Sequence, residues 1–319
     1  MGCIMHDMSE RAVTISVVIP VYQAEACLHE LHERLTSVLR TLGPDYEIVL
    51  VEDRGQDRSW EVIREIAGKD PRVKAARLSR NFGQHHAIAA GLDMCKGEWV
   101  VIMDCDLQDR PEEIPRLYEK ALSGHDIVLA RRAERQDGVV KRLFSKTFYA
   151  VLSYLTETRM DPSIGSFRIM SRKVVRELSK MHEQTRFFGG LVNWLGFSST
   201  TVDVEHAPRM HGKTSYNLKK LVRLAVGAIL AFSDKPLRLA VQLGFLISFL
   251  SMCFGVYAVI TKLMHPSVQL GWTSLIVSIY FMGGLVIGVI GICGLYIGKI
   301  FEEVKRRPLY VIDEKINAD

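Results

Sequence analysis

The sequence predicts an α/β domain on a doubly wound, mostly parallel sheet, followed by an interfacial helix and two transmembrane helices. Three observations predict it. Short, nearly continuous apolar runs alternate with helical stretches through the first two-thirds of the 319 residues. Those runs are nearly continuously apolar rather than apolar at every second residue, which is how parallel strands covered on both faces read. The last third holds two long stretches without a formal charge.

The strands fall at Ile15–Val21 (ISVVIPV), Glu47–Val51, Val73–Leu78, Trp99–Met103 (WVVIM) and Asp126–Ala130. Between them Ala26–Leu42, Ser59–Ala67, His86–Met94 and Pro111–Leu122 read as helices. Strict alternation implies helices on both faces of the sheet, and ligands in such sheets gather beyond the carboxyl ends of the strands. From Lys141 to Met210 the pattern loosens, with a Pro/Gly-containing loop at Asp161–Ser166 and an aromatic stretch at Phe187–Phe197; this is read as the acceptor side of the same domain. In Tyr216–Phe232, Lys219, Lys220 and Arg223 share one helical face with Tyr216 and Gly227, while Leu221, Leu224, Ala225 and Ile229 lie away from it. A basic strip beside an apolar face suits a helix in the membrane interface.

Leu239–Thr261 and Leu263–Gly298 contain no Asp, Glu, Lys or Arg. About 20 apolar residues cross a hydrocarbon core of about 30 Å, so spans are expected near 238–261 and 273–298. Lys219, Lys220, Arg223, Lys235 and Arg238 precede the first span, and Lys299, Lys305, Arg306 and Arg307 follow the second. The connecting loop has only Lys262. Both termini and the large domain are therefore expected on the cytoplasmic side of the inner membrane. Gly244, Ser248, Ser251 and Gly255 on the first span, and Gly284, Gly288, Gly291 and Gly298 on the second, form small-residue seams. Packing of the two spans within one chain is expected there, with packing between chains as the alternative. The expected organisation is a tail over 1–12, the α/β domain over 13–215, the interfacial helix over 216–236, the membrane region over 237–298 and a cytoplasmic tail over 299–319.

A net charge of +5 gives no reason to expect nucleic acid as a partner. The six cysteines show no CxxC pair and no metal-finger spacing, so a disulfide framework is not expected. Met1 to Arg11 carries no long apolar core, and no signal peptide is expected. The opening Met-Gly-Cys lacks the Ser or Thr at position six that myristoylation needs; His6 stands there.

The sharpest local feature is Asp104-Cys105-Asp106-Leu107-Gln108, directly after WVVIM. Two carboxylates one residue apart at a strand's carboxyl end can hold one hard cation, Mg²⁺ or Mn²⁺, which keeps water or phosphate oxygens in its shell. The Gln108 amide could add another oxygen. An Asp pair alone is weak, since such pairs are common in turns. Asp109 reads differently: Asp109 to Glu112, with Pro111 in the first turn, resembles a capping box.

The stretches SVVIPVYQAE, VEDRGQDRS, LSRNFGQHHAIAAGL, DCDLQDRPEE, GSFRIMSR, NWLGF and RMHGKTSYNLKKL, with two spans and RRPLYV behind them, resemble the polyprenyl-phosphate glycosyltransferases. That group includes dolichol-phosphate mannose synthases, bactoprenol glucosyltransferases and undecaprenyl-phosphate aminoarabinose transferases. The similarity runs from about Ile15 to Val311. It implies a GT-A fold, a divalent metal, a nucleotide-sugar donor, a polyprenyl (undecaprenyl) phosphate acceptor and inversion at the anomeric carbon. The product would serve cell-envelope glycan or lipid modification, and the chain would form a homo-oligomer, a tetramer in relatives. The resemblance puts Pro20, Tyr22 and Glu25 at the base and ribose, and Asp53 at the base. The common DDGSxD form is here altered by Glu52, Arg54 and Gly55. Arg80, Asn81, Gly83 and Gln84 resemble the loop beside the donor's sugar and phosphates. Pro20 also reads as a strand end and Asp57 as a helix cap. His85 and His86 are adjacent, so one helix does not aim both at one metal, and they are taken as helix or loop residues.

For the lipid phosphate and donor diphosphate the candidates are Arg132, Arg135, Lys141, Ser145, Arg168, Arg209 and Lys213. Arg suits bidentate phosphate recognition, whereas Lys acts as a point charge. Arg168 stands out within the apolar and small-residue stretch Ile164–Met170, and with Arg132 and the two aspartates it forms the expected catalytic set. Ser166 stands where the resembling proteins often have Asp, and Gly189 where Arg is frequent. A phosphate monoester, with a second pKa near about 6, is already a competent nucleophile, so no side-chain base is expected. Three alternatives stay beside this reading. A processive polysaccharide synthase would carry QxxRW, which Gln184-Thr185-Arg186-Phe187-Phe188 does not fit. A dehydrogenase would need GxGxxG after a strand, and none is present. A non-catalytic membrane partner would have lost the metal-site residues, which are intact.

Overall fold

The computed structural model describes residues 13–132, 154, 163–184, 186, 188–205, 229, 233–264 and 272–318. Arg135, Lys141, Ser145, Arg209 and Lys213 lie outside the described residues, as does the expected interfacial helix except at 229 and 233–236. Two compact units are present: residues 1–149, 160–215 and 308–319 form one, and residues 150–159 and 216–307 the other.

The first unit is built on an eight-stranded sheet of β1 Ile15–Val21, β2 Tyr46–Glu52, β3 Val73–Leu78, β4 Trp99–Ile102, β5 Ile127–Arg132, β6 Ile164–Ser171, β7 Ser199–Val204 and β8 Ile312–Ile316. The spatial order is β7-β5-β6-β4-β1-β2-β3-β8. Strands β4, β1, β2 and β3 run parallel, as do β5 and β7. Antiparallel β6 joins the two groups, and antiparallel β8 closes the β3 edge. Every residue of β1 and β2 is buried, because helices cover both faces of the sheet's centre.

The helices of this unit are α1 Leu28–Leu42, α2 Ser59–Lys69, α3 Gln84–Met94, α4 Ile114–Leu122, α5 Arg172–Ser179 and α6 Phe188–Leu195. Leu28, Leu31, Leu35 and Leu39 put one apolar stripe of α1 into the core. Helix α3 lies so close to the sheet that a Cβ at Gly91 would stand 2.3 Å from Val18 Cγ1, so only glycine fits. A short 3₁₀ turn, Pro111–Glu113, leads into α4. The expected capping box is not formed: neither that turn nor α4 has a side-chain cap.

The second unit contains α7 Lys235–Met264 and α8 Trp272–Val304. Lys235–Tyr257 and Ser278–Val304 are long and apolar enough to cross a membrane, and only 6% and 0% of their most apolar windows are buried, unlike a soluble core helix. The helices overrun the expected spans at the charged ends, since helical hydrogen bonding does not stop where apolarity does. The small-residue seams do not bring the spans together. A Cβ built at Gly244, Gly255, Gly284, Gly288, Gly291 or Gly298 meets no atom within 4 Å, so the expectation of close intrachain packing through them is corrected. Tyr296 instead ties the helices' unit internally, donating its hydroxyl hydrogen to Ser233 O at 2.7 Å.

Candidate active site

The loops that leave the carboxyl ends of β1, β2 and β4 each contain a non-glycine residue in the left-handed region: Gln23 at φ 51°, Arg54 at φ 53° and Leu107 at φ 60°. Such conformations persist only where the surroundings enforce them, and they concentrate at working sites. Three in neighbouring loops mark this edge of the sheet.

The Asp104–Gln108 turn follows β4 and is fixed from several sides. Leu107 is buried in the core at 1% exposure, which pins the turn's apex. Asp106 Oδ1 accepts the Gln108 N–H at 3.2 Å. Cys27 donates its thiol hydrogen to Cys105 O at 3.0 Å. Asp109, read from sequence as a helix cap, is instead buried, and its Oδ2 accepts the Asp104 N–H at 3.3 Å. The carboxylate that starts a capping box in sequence here closes the turn around the paired aspartates.

Gln84, in the first turn of α3, donates its amide to Asp104 Oδ1 at 2.7 Å. Arg168 sits on β6 opposite Ile102, immediately behind this turn. It is 6% exposed, and its guanidinium donates to Ser166 O at 2.9 Å and Gly165 O at 2.8 Å. Burial pushes its pKa down to about 10, opposed by the charges of Asp104 and Asp109. It therefore stays cationic at neutral pH, next to the carboxylates.

Asp53 is buried, and its two oxygens accept the N–H groups of Phe82 at 2.7 Å and Gly83 at 2.8 Å. Burial raises its pKa, and these two backbone donors oppose the rise. The clamp joins the β2 and β3 loops, with Gly83 at φ 97° starting α3 at Gln84, two residues before the position expected from sequence. Arg80 stacks over Phe82, 4.1 Å from the ring centre. Asn81 is exposed at the same loop. Pro20 is the last residue but one of β1. Tyr22 is 48% exposed just beyond it. Glu25 Oε2 accepts the Arg58 N–H at 2.8 Å, while Asp57 Oδ2 accepts the Glu25 N–H at 3.1 Å and the Ser59 hydroxyl at 2.8 Å. Asp57 thus serves the start of α2 from one residue before its N-cap, Arg58.

Asp104, Asp106, Gln108, Arg168, Gln84, Asp53 and the Arg80–Gly83 loop are brought to this one edge. Arg132 ends β5. Among the described residues no group of three His, Cys, Asp or Glu gathers to hold a metal. The donor set on offer is two carboxylates and an amide, which fits a hard cation that completes its shell with phosphate and water oxygens. Two further residues have surroundings here that the sequence did not indicate. Arg186, 5% exposed, donates to Leu178 O at 3.1 Å and Met181 O at 3.0 Å, capping the end of α5. His85 has a buried Nδ1 without a partner, and burial with the neighbouring charges of Arg168, His86 and Arg186 pushes it down to about 4. The adjacent histidines are helix residues, as expected.

The mostly parallel sheet, with paired carboxylates beyond β4, fits a glycosyltransferase of GT-A fold. Residues 16–179 match glycosyl transferase family 2. The SfII prophage-derived bactoprenol glucosyl transferase of Shigella flexneri is 36% identical over 299 residues, covering 93% of this chain and 97% of the relative. The undecaprenyl-phosphate 4-deoxy-4-formamido-L-arabinose transferase of Edwardsiella ictaluri is 36% identical over 309 residues, covering 96% and 95%. Among solved structures, glucosyl-3-phosphoglycerate synthase from Mycobacterium tuberculosis in complex with phosphoglyceric acid aligns with a TM-score of 0.50 at 20% identity, over 70% of this chain and 80% of that one; this likeness is one of fold. The chain belongs to glycosyl transferase family 2.

Proposed function

We propose that the protein transfers a sugar from a nucleotide-sugar, UDP-linked, to the phosphate of a polyprenol such as undecaprenol, with inversion and with a divalent cation. The observation that carries this is the Asp104–Asp106 turn, backed by buried Arg168 and linked by Gln84 to the donor-side loop. The acceptor class is supported by the names of two relatives that match nearly the whole chain. The two long apolar helices support a membrane location, where such a lipid resides. The Lys and Arg flanking them, against a single Lys in the connecting loop, support a cytoplasmic catalytic domain and cytoplasmic termini.

Asp104, Asp106 and Gln108 would hold the cation. When bound, it supplies positive charge against the departing nucleoside diphosphate. Arg168 adds a fixed cation in a low-dielectric position, where it acts without reorganising. Asp53, through Phe82 and Gly83, fixes the loop carrying Arg80, Asn81 and Gln84 beside the donor. Arg132, Arg135, Lys141, Ser145, Arg209 and Lys213 remain the proposed contacts of the acceptor phosphate. That phosphate is largely dianionic at neutral pH and attacks the anomeric carbon without a side-chain base.

The test is transfer from UDP- and GDP-sugars to undecaprenyl phosphate by the full chain in detergent or bilayer discs. Asp104→Ala and Asp106→Ala should each reduce turnover at least about 100-fold. Undiminished turnover in both variants would reject the site. A pH profile with an essential enzyme base near neutrality, lost with one carboxylate, would reject the base-free mechanism.

A further inference from the structure

Of the three left-handed loop residues, Arg54 has an unusual support. It follows Asp53 at φ 53°, where glycine is at ease and a long side chain is strained. Its guanidinium donates to Asp313 Oδ2 at 2.7 Å, a partner 259 residues later in the chain. Asp313 lies on β8, the strand that follows the second long helix after residues 305–311.

That strand is pinned along its length. It pairs antiparallel with β3 from Ala75–Ile316 to Leu78–Ile312, with a register shift between Arg77 and Leu78 that leaves Asp313 as the extra residue between paired Glu314 and Ile312. Ser79 N–H donates to Val311 O at 2.9 Å. Trp60 Nε1–H donates to Glu314 Oε2 at 3.1 Å. Tyr310 donates its hydroxyl hydrogen to Asp93 Oδ2 at 2.6 Å. Asn317 Nδ2 donates to Ala67 O at 2.8 Å and Val73 O at 2.9 Å. Asp313 is therefore a fixed counter-charge, not a side chain on a loose tail.

We propose that β8 is a working part of the donor side of the site, with Asp313 a positioning residue that holds Arg54 in its left-handed conformation and so sets the Glu52–Asp57 turn carrying Asp53. The inference rests on the nucleotide-sugar reading above. The turn it sets reaches two other loops. Asp53 clamps the Phe82 and Gly83 amides, and Asp57 accepts from the Glu25 amide. A shift at Arg54 thus moves every loop on the proposed nucleotide side together. The Arg54 and Asp313 side chains are 40% and 50% exposed, so the ion pair adds little to global stability. Its effect falls on loop geometry and hence on donor binding.

The experiment uses the full chain in bilayer discs, with UDP and GDP as probes in the presence of Mn²⁺, read by calorimetry and by donor KM and kcat. Asp313→Ala should weaken nucleotide binding and raise donor KM about twofold to fivefold, with a smaller change in kcat and in the thermal midpoint. Asp313→Asn, isosteric on an exposed strand position, carries the test if the alanine variant misfolds. In an Arg54→Gly background, where glycine needs no latch, Asp313→Ala should change nucleotide binding no further. Wild type that binds a nucleotide alongside Asp313 variants that bind it equally would overturn the inference alone. An additive loss in the double variant would also overturn it. Wild type that binds neither nucleotide would overturn the donor reading and this inference with it.

Discussion

Gln84 opens α3 and Asp104 follows β4, and the side-chain amide of the first donates to the carboxylate of the second at 2.7 Å. This bond ties the start of α3 to the paired aspartates. It leaves Asp104 Oδ1 oriented before any cation arrives. Outer groups that orient a metal carboxylate are worth roughly 10–100-fold in affinity or activity. Gln84→Ala should therefore lower turnover by about that factor and raise the Mn²⁺ concentration for half-maximal rate. A rate unchanged at every Mn²⁺ concentration would show that the bond orients nothing.

Asp109 presents a second test. Its carboxylate takes the Asp104 N–H and lends its charge to buried Arg168. Leaving a buried amide without its hydrogen-bond acceptor costs about 1–3 kcal/mol. Asp109→Ala should lose stability of that order and lose activity with it. Asp109→Asn keeps an oxygen acceptor for the amide, so its loss should be clearly smaller. Denaturant unfolding of both variants decides the matter, and equal losses would contradict the turn-closing role.

Two carboxylates and an amide make a weak metal site by themselves, since no third His, Cys, Asp or Glu joins them among the described residues. The cation should bind tightly only when a diphosphate supplies further oxygens. Chelation should abolish transfer, and Mg²⁺ or Mn²⁺ should restore it, while the thermal midpoint of the nucleotide-free protein barely moves. Calorimetry should show UDP tightening Mn²⁺ binding and Mn²⁺ tightening UDP by the same factor. Independent binding of the two would count against the shared site.

The pH dependence of stability has a predictable sign at His85. Its ordinary value is 6.5, and burial lowers it to about 4 in the folded chain. Between those values the unfolded chain takes up a proton that the folded one refuses. Stability should therefore fall as pH drops from about 6.5 towards 4, by roughly 3 kcal/mol in full, with no contribution above that window. His85→Gln should flatten that part of the profile in denaturant titrations between pH 7 and pH 4. The same slope in both proteins would place the imidazole in water rather than in the protein interior.

The centre of the sheet was legible because β1, β2 and β4 are covered on both faces, so their apolar runs are nearly continuous. The outer strands were not. Ser199–Val204 alternates exposed and sheltered residues, and Ile312–Ile316 reads IDEKI, with three charges in five residues. Such a strand forms only because β3 offers it an unpaired edge far away in sequence, and no local pattern records that. The paired aspartates were legible from their place after β4, and Arg168 from its apolar surroundings. Asp109 was misread because an acidic residue before Pro-Glu-Glu looks the same whether it caps a helix or turns back to Asp104. Arg186 lies in the segment that fails to fit a polymer-synthase motif. The signal it carried was an isolated Arg a few residues beyond a helix end, where orphan carbonyls need donors.

The order of the chain has a consequence for how the molecule is made. The outermost strand, β8, is translated after both long apolar helices, so β3 spends most of synthesis with bare amides and carbonyls along its flank. An open flank of that kind invites pairing with the wrong partner. Until β8 has left the ribosome and paired, each nascent chain carries that vulnerable border, and a ribosome stall after the helices would leave a domain prone to aggregate through it.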